Sequence, residues 1–169
     1  MEIIHNVMSP EVFHKVRHDA YNLWETDPNG YFTSDEEWTD TLKDGYTGTC
    51  YCRELDGDRY DLIFDDIKHK LPTTENVTLL YYVWDKHSGI QWHNDGYWDW
   101  SGSIYLDDGW KPEWGGIFLW KTLYPEYAYH AHIPTANTMS LNTQAIPHCV
   151  TPVLDNALCP RFSIQVFCK

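Results

Sequence analysis

Beyond Asn76 the chain breaks into short runs of apolar and polar residues, "VTLLYYVW", "GIQWHND", "SGSIYLDD", "GGIFLW", "NTMSLNT", "HCVTPV" and "RFSIQVF", separated by Gly, Pro, Asp and Asn. Their β-branched and aromatic content predicts seven or eight strands, and strands at this spacing predict a sandwich or jelly-roll barrel. The N-terminal part follows a different period. In "SPEVFHKVRHDAYNLWE", Ser9 is placed as an N-cap and Pro10 at the first helical position, and Val12, Val16, Ala20 and Leu23 recur at helical spacing, which predicts an amphipathic helix. "SDEEWTDTL" offers Ser34 and Glu37 as a capping box for a second, short helix. After "TCYCREL" comes a turn, "DGD" at 56–58, and then a third short helix over "DLIFDDIKHKL". The expectation is a single domain over 1–169, mainly β with flanking helices: a helical and mixed part over 1–75 and a jelly-roll core over 76–169.

Composition narrows this picture. Hydrophobic residues make up 43% and aromatics 16%, with nine Trp and twelve Tyr, so the surplus rings must line a core or a cleft. So many rings also leave an exposed apolar patch, and hence self-association, open. A net charge of −13 with twelve basic residues argues against a nucleic-acid partner. The N-terminus lacks a basic start followed by an apolar run, and no stretch approaches the ~18 apolar residues of a membrane span, so a cytoplasmic protein is expected. Five cysteines without a Cys-x-x-Cys pair read as reduced thiols, with Cys50 and Cys52 as strand residues.

The candidate chemistry centres on "WHNDGYWDW", residues 92–100. A His-x-acid step proves little, since shuffling nine His and 25 acidic residues through this length yields about 1.3 of them. Context gives it weight. On a strand, His93 and Asp95 would share a face, and His148 in "IPHCVTPV" can supply a third ligand from another strand. Two His and one carboxylate on one side of a metal leave the other side open, the arrangement of non-haem Fe(II) oxygenases. "RFSIQVF" then places Arg161, Ser163, Gln165 and Phe167 on one face. A guanidinium buried there requires an anionic partner, which a metal-chelating dicarboxylate would supply. "YHAH" is the decoy: His130 and His132 would also share a face, but no third ligand follows, and a surface loop is expected there.

In order, "HND", "SIYLDDGWKPEWGGIFLW", "IPHCVTPV" and "RFSIQVF" resemble the 2-oxoglutarate, Fe(II)-dependent dioxygenases, and within them the prolyl 4-hydroxylase-like branch, over roughly half the chain. The resemblance implies a double-stranded β-helix with His93, Asp95 and His148 as iron ligands. It implies that Arg161 pairs with the distal carboxylate of 2-oxoglutarate, that Tyr105 contributes a hydroxyl, and that Ser163 is a second contact. A further tyrosine, Tyr81 or Tyr82, is implied on the strand before the metal step, and alternation alone does not choose between them. Gly115 and Gly116 correspond to paired structural glycines. The interval from His148 to Arg161 exceeds the family's usual one, so "LDNALCP" must bulge between two strands. The implied reaction consumes O2 and 2-oxoglutarate, with ascorbate supportive, and hydroxylates a C–H bond of a prolyl residue, free proline or a similar small molecule or peptide. "GYWDWSG" reads as a flap or a packed loop, with Trp98 or Trp100 available to stack on a substrate ring. The alternative is a non-catalytic jelly roll that binds a small ligand or senses metal, a protein with no need of a buried arginine. A nucleic-acid demethylating oxygenase is a third reading, opposed by the negative charge.

Overall fold

The computed structural model describes residues 1–33, 44–122 and 128–169. In chain order its elements begin with β1 (Glu2–His5), α1 (Pro10–Thr26), β2 (Phe32–Thr33), β3 (Tyr46–Thr47), β4 (Cys50–Glu54) and α2 (Gly57–Ile67). They continue with β5 (Val77–Trp84), β6 (Gly89–His93), β7 (Trp100–Tyr105), β8 (Phe118–Thr122), β9 (Ala128–His132), β10 (Thr138–Asn142), β11 (His148–Val150) and β12 (Arg161–Cys168). Among the described residues the strands form two antiparallel sheets, a major one in the order β1-β10-β7-β12-β5-β4-β2 and a minor one in the order β3-β6-β11-β8-β9.

Alternation along the two longest strands divides the interior. Leu79, Tyr81 and Val83 of β5 and Phe162, Ile164 and Val166 of β12 point to one face of the major sheet, where they pack with Phe13, Val16, Ala20 and Leu23 of α1 and Ile63 and Ile67 of α2. Leu80, Tyr82 and Trp84, with Arg161, Gln165 and Phe167, point to the other face, toward the minor sheet and the cavity between the sheets. The helices thus seal one side of the sheet and leave the other for chemistry.

All seven runs noted beyond Asn76 form strands. Among the described residues the eighth strand there is β9, where the sequence suggested a surface loop over "YHAH"; pairing with β8 from Phe118↔His132 to Thr122↔Ala128 holds those residues extended. In α1, Ser9 caps the helix by accepting from the Val12 N–H, and Phe13 joins the buried stripe, with Val12 only partly buried beside it. "DGD" is not a free turn: Asp56 is the N-cap and Gly57 the first residue of α2, so the helix starts earlier than expected. The capping box at Ser34 and Glu37 lies outside the described residues. β1, β2 and β4 extend the major sheet and β3 the minor one. The five cysteines are free thiols, and no helix among the described residues is long and apolar enough to cross a membrane.

Two details position the site. His148 pairs with His93 and Val150 with Ile90, so two residues of β6, Gln91 and Trp92, stand opposite Cys149 alone. This bulge turns both Ile90 and His93 into the cavity, which strict alternation would forbid. Gly115 lies at φ 69°, where an added Cβ would stand 2.0 Å from the Pro152 carbonyl oxygen. The bridge Gly115↔Val153 ties the β11–β12 connection to the sheet here. Gly115→Ala therefore combines left-handed strain with a backbone clash. A loss of about 3–4 kcal/mol is expected in chemical denaturation, against about 1–2 kcal/mol for Gly109→Ala, which has the strain but open space around it.

Asp107 joins helix to barrel, accepting from the Tyr21 hydroxyl at 2.7 Å and the Phe162 N–H at 2.8 Å. Burial pushes its pKa up to about 6, with the two hydrogen bonds opposing. Between the unfolded value near ~3.9 and this folded value, the folded chain holds the extra proton, so stability falls as pH rises through that window and is level above it. Asp107→Asn should remove this slope, because Asn keeps an acceptor and the tyrosine hydroxyl can turn to accept. Urea melts of both proteins from pH 4 to 7 would reveal it.

Candidate active site

A cavity of about 580 Å³ lies between the sheets, and His93, Asp95, His148 and Arg161 all line it. His93 ends β6 and His148 begins β11, and the two are paired residues of adjacent strands, with ring centroids 4.3 Å apart. Asp95 differs from the alternation argument: β6 stops at His93, and Asp95 opens a turn closed by the Trp98 N–H on its carbonyl at 2.9 Å. Turn geometry, and not the pleat, brings its carboxylate back.

One ligand atom from each of the three residues lies within 4.8 Å of the others, the one such group among the described residues. Asp95 Oδ1 is 3.7 Å from His93 Nε2, and Oδ2 is 3.4 Å from His148 Nε2. Both imidazoles use Nδ1 elsewhere, on the carbonyls of Gln91 at 2.8 Å and Ile146 at 2.9 Å. A ring nitrogen facing a carbonyl oxygen must carry the proton, so each neutral ring presents a bare Nε2 to the cavity. Burial, and after it the neighbouring His148, lowers the His93 pKa and keeps that ring neutral and able to donate a lone pair.

Arg161 is 1% exposed, yet takes part in none of the ion pairs among the described residues. Its Nη1 donates to the Gly116 carbonyl at 3.3 Å, its Nε has no partner among the described residues, and its guanidinium carbon lies 5.2 Å and 5.7 Å from the rings of Trp84 and Tyr105. Burial pulls its pKa down, though a guanidinium stays charged. Beside it, fully buried Tyr105 shares a hydrogen bond with Ser140 at 3.2 Å. Ser163 Oγ accepts from Gln165 Nε2 at 3.2 Å, and Gln165 Oε1 accepts from Ser103 at 2.6 Å. The thirteen-residue interval is accommodated by the expected excursion, with a turn at Leu154–Ala157 ahead of β12.

The tyrosine choice is resolved by the fold. Tyr82 lines the cavity, whereas Tyr81 points at α1, with its hydroxyl 3.2 Å from Asp19. Of the two tryptophans, Trp98 lines the cavity and stacks on Phe167 at 5.0 Å. Trp100 is a correction: as the first residue of β7 it faces the helices and is buried in their core, where a substrate cannot reach it. His130 stacks on Trp120, and His132 bonds Thr138, away from the triad. Sequence reasoning missed Ser101, which donates to Asp95 Oδ2 at 2.5 Å; the period-two pattern of "SGSIY", which sets Ser101, Ser103 and Tyr105 on one face, was the available signal.

The donor set suits Fe(II), and a buried, unpaired guanidinium in the same cavity suits a dicarboxylate. No protein-family model matches the chain, and no curated protein matches it. Solved structures do. A Pseudomonas putida prolyl-4-hydroxylase superposes with a TM-score of 0.73 at 14% identity, over 98% of this chain and 90% of its own. A Trichoplax adhaerens prolyl hydroxylase, in complex with a hypoxia inducible factor oxygen degradation domain peptide fragment, does so with 0.74 at 14%, over 98% and 81%. The chain has the double-stranded β-helix fold of the 2-oxoglutarate oxygenases. Within that double-stranded β-helix the reaction is not set by the barrel. SnoN, a non-heme alpha ketoglutarate dependent epimerase from nogalamycin biosynthesis, is also similar, with a TM-score of 0.62 at 12% identity over 98% of this chain and 75% of its own.

Proposed function

We propose that this chain is an Fe(II)- and 2-oxoglutarate-dependent dioxygenase that hydroxylates a C–H bond of a prolyl residue, free proline or a similar small substrate. The observation that carries the reading is Arg161, a buried cation with an unpartnered Nε in the same cavity as a His-Asp-His triad. A plain metal-binding barrel would gain nothing from it, since an unpaired buried charge costs several kcal/mol.

His93 Nε2, an Asp95 oxygen and His148 Nε2 would hold the iron. Arg161 would hold the distal carboxylate of 2-oxoglutarate, with Tyr105, Ser163 and Tyr82 around it. Bound together, iron and 2-oxoglutarate supply O2-dependent oxidation of an unactivated C–H bond, releasing succinate and CO2. The remaining work belongs to the protein. The carbonyls of Gln91 and Ile146 hold both imidazoles with Nε2 forward. Accepting from Gln165 leaves the Ser163 hydroxyl hydrogen free to point at an anion beside Arg161. Trp84, Ile90, Phe118 and Val150 give the cavity apolar walls that exclude water. Trp98, stacked on Phe167, offers a flat face for an apolar ring such as proline's.

The test is succinate formation from 2-oxoglutarate with Fe(II) and ascorbate, aerobically and anaerobically, with proline and prolyl peptides as first substrates. Turnover that needs both iron and O2, and that rises with one of these substrates, is expected. A protein that neither turns over nor binds 2-oxoglutarate with these candidates present would sink the catalytic reading.

A further inference from the structure

Two buried polar residues of the major sheet touch the candidate ligands without being ligands. Ser101 on β7 and Asn142 on β10 are directly paired across the sheet, both are about 4% exposed, and both line the cavity. Buried hydroxyls and amides are satisfied somewhere, and here the partners belong to the metal site and not to the sheet.

Ser101 donates to Asp95 Oδ2 at 2.5 Å, a short bond of the charge-assisted kind. Asp95 sits in a turn outside the strand ladder, so this hydroxyl does for its carboxylate what strand pairing does for His93. Asn142 brackets one residue: its Oδ1 accepts from Ile146 N at 2.9 Å, and its Nδ2 donates to Ile146 O at 3.1 Å. The bracketed turn contains Ala145 at φ 46°, a left-handed conformation that a non-glycine residue keeps only when its surroundings impose it. The same Ile146 oxygen accepts the His148 Nδ1 proton at 2.9 Å. Asn142 therefore places the acceptor that sets the tautomer and plane of His148, and its Nδ2 also lies 3.5 Å from that ring's Nδ1.

Resting on the iron reading above, we propose that the cross-strand pair Ser101 and Asn142 are positioning residues that preset Asp95 and His148 for metal. The major sheet thereby fixes ligand geometry across the cavity from β6 and β11, which carry the two histidines. Neither residue offers a ligand of its own comparable to imidazole or carboxylate, and both act through the group they hold.

Co(II) titration of the full chain tests this without turnover, by calorimetry and by the visible absorption of the bound ion. The proteins are wild type, Ser101→Ala, Ser101→Thr, Asn142→Ala and His93→Ala, each with a metal-free melting curve. The Co(II) dissociation constant is expected to rise about 10- to 100-fold in the two positioning variants with an altered absorption band. The Ser101→Ala melting temperature should stay near wild type, and Ser101→Thr, which keeps the hydroxyl, should restore binding. Wild-type affinity and spectrum in Ser101→Ala would overturn the proposal even if Asn142→Ala fails to fold. A loss that follows metal-free destabilisation and is not rescued by threonine would do the same. If the wild type binds no Co(II), the iron reading falls and this proposal with it; if wild type binds, His93→Ala does not, and the positioning variants match wild type, this proposal alone is wrong.

Discussion

Asp95→Ala is expected to abolish iron-dependent succinate formation, with turnover at least about a thousandfold below wild type and Fe(II) binding weakened in parallel. The substitution removes the one anion of the triad and leaves two neutral imidazoles, whose rings stay paired across β6 and β11. A divalent ion bound by those alone would lose its charge-neutralising ligand and a third of its protein donors. It also strands the Ser101 hydroxyl, a cost on stability small enough for the variant to fold. Succinate release, iron content after desalting and a melting curve together check the prediction. A variant that kept a tenth of wild-type turnover would mean that the triad is not the iron site.

Arg161→Met should separate stability from function in opposite directions. Without 2-oxoglutarate the guanidinium is buried outside any ion pair among the described residues, with the Gly116 carbonyl and the Tyr105 hydroxyl as neutral partners and an orphaned Nε, so an apolar side chain of similar length should hold the melting temperature or raise it. The 2-oxoglutarate requirement should rise, because truncating one partner of a buried charge pair costs about 2–5 kcal/mol, or about 30- to 4,000-fold in affinity. The KM for 2-oxoglutarate and thermal shifts with and without it would show both effects. A large fall in the melting temperature without 2-oxoglutarate would mark Arg161 as a structural residue, as would an unchanged KM.

Much of this site was legible in one dimension because its parts lie on strands, where alternation sorts side chains between two faces. That rule put Arg161, Ser163, Gln165 and Phe167 of β12 on one face, and Arg161, Gln165 and Phe167 line the cavity. It failed where the backbone leaves the pleat. Asp95 reaches the triad through a turn, and Ile90 shares the face of His93 only through the bulge opposite Cys149. Trp98 and Trp100 looked equivalent in "GYWDWSG", but β7 begins at Trp100 and its first side chain points to the helices.

The sequence by itself determined the strand and helix periods, the residue types of the triad and the arginine, and the acidic surface, because each is a local property of side-chain order and charge. Only the tertiary structure decided which tyrosine faces the cavity, that "YHAH" pairs as β9, and that Ser101 and Asn142 reach Asp95 and Ile146. Those outcomes depend on register between strands far apart in the chain, such as β7 with β10 and β12 with β5, and register is set by the packing of both sheet faces at once.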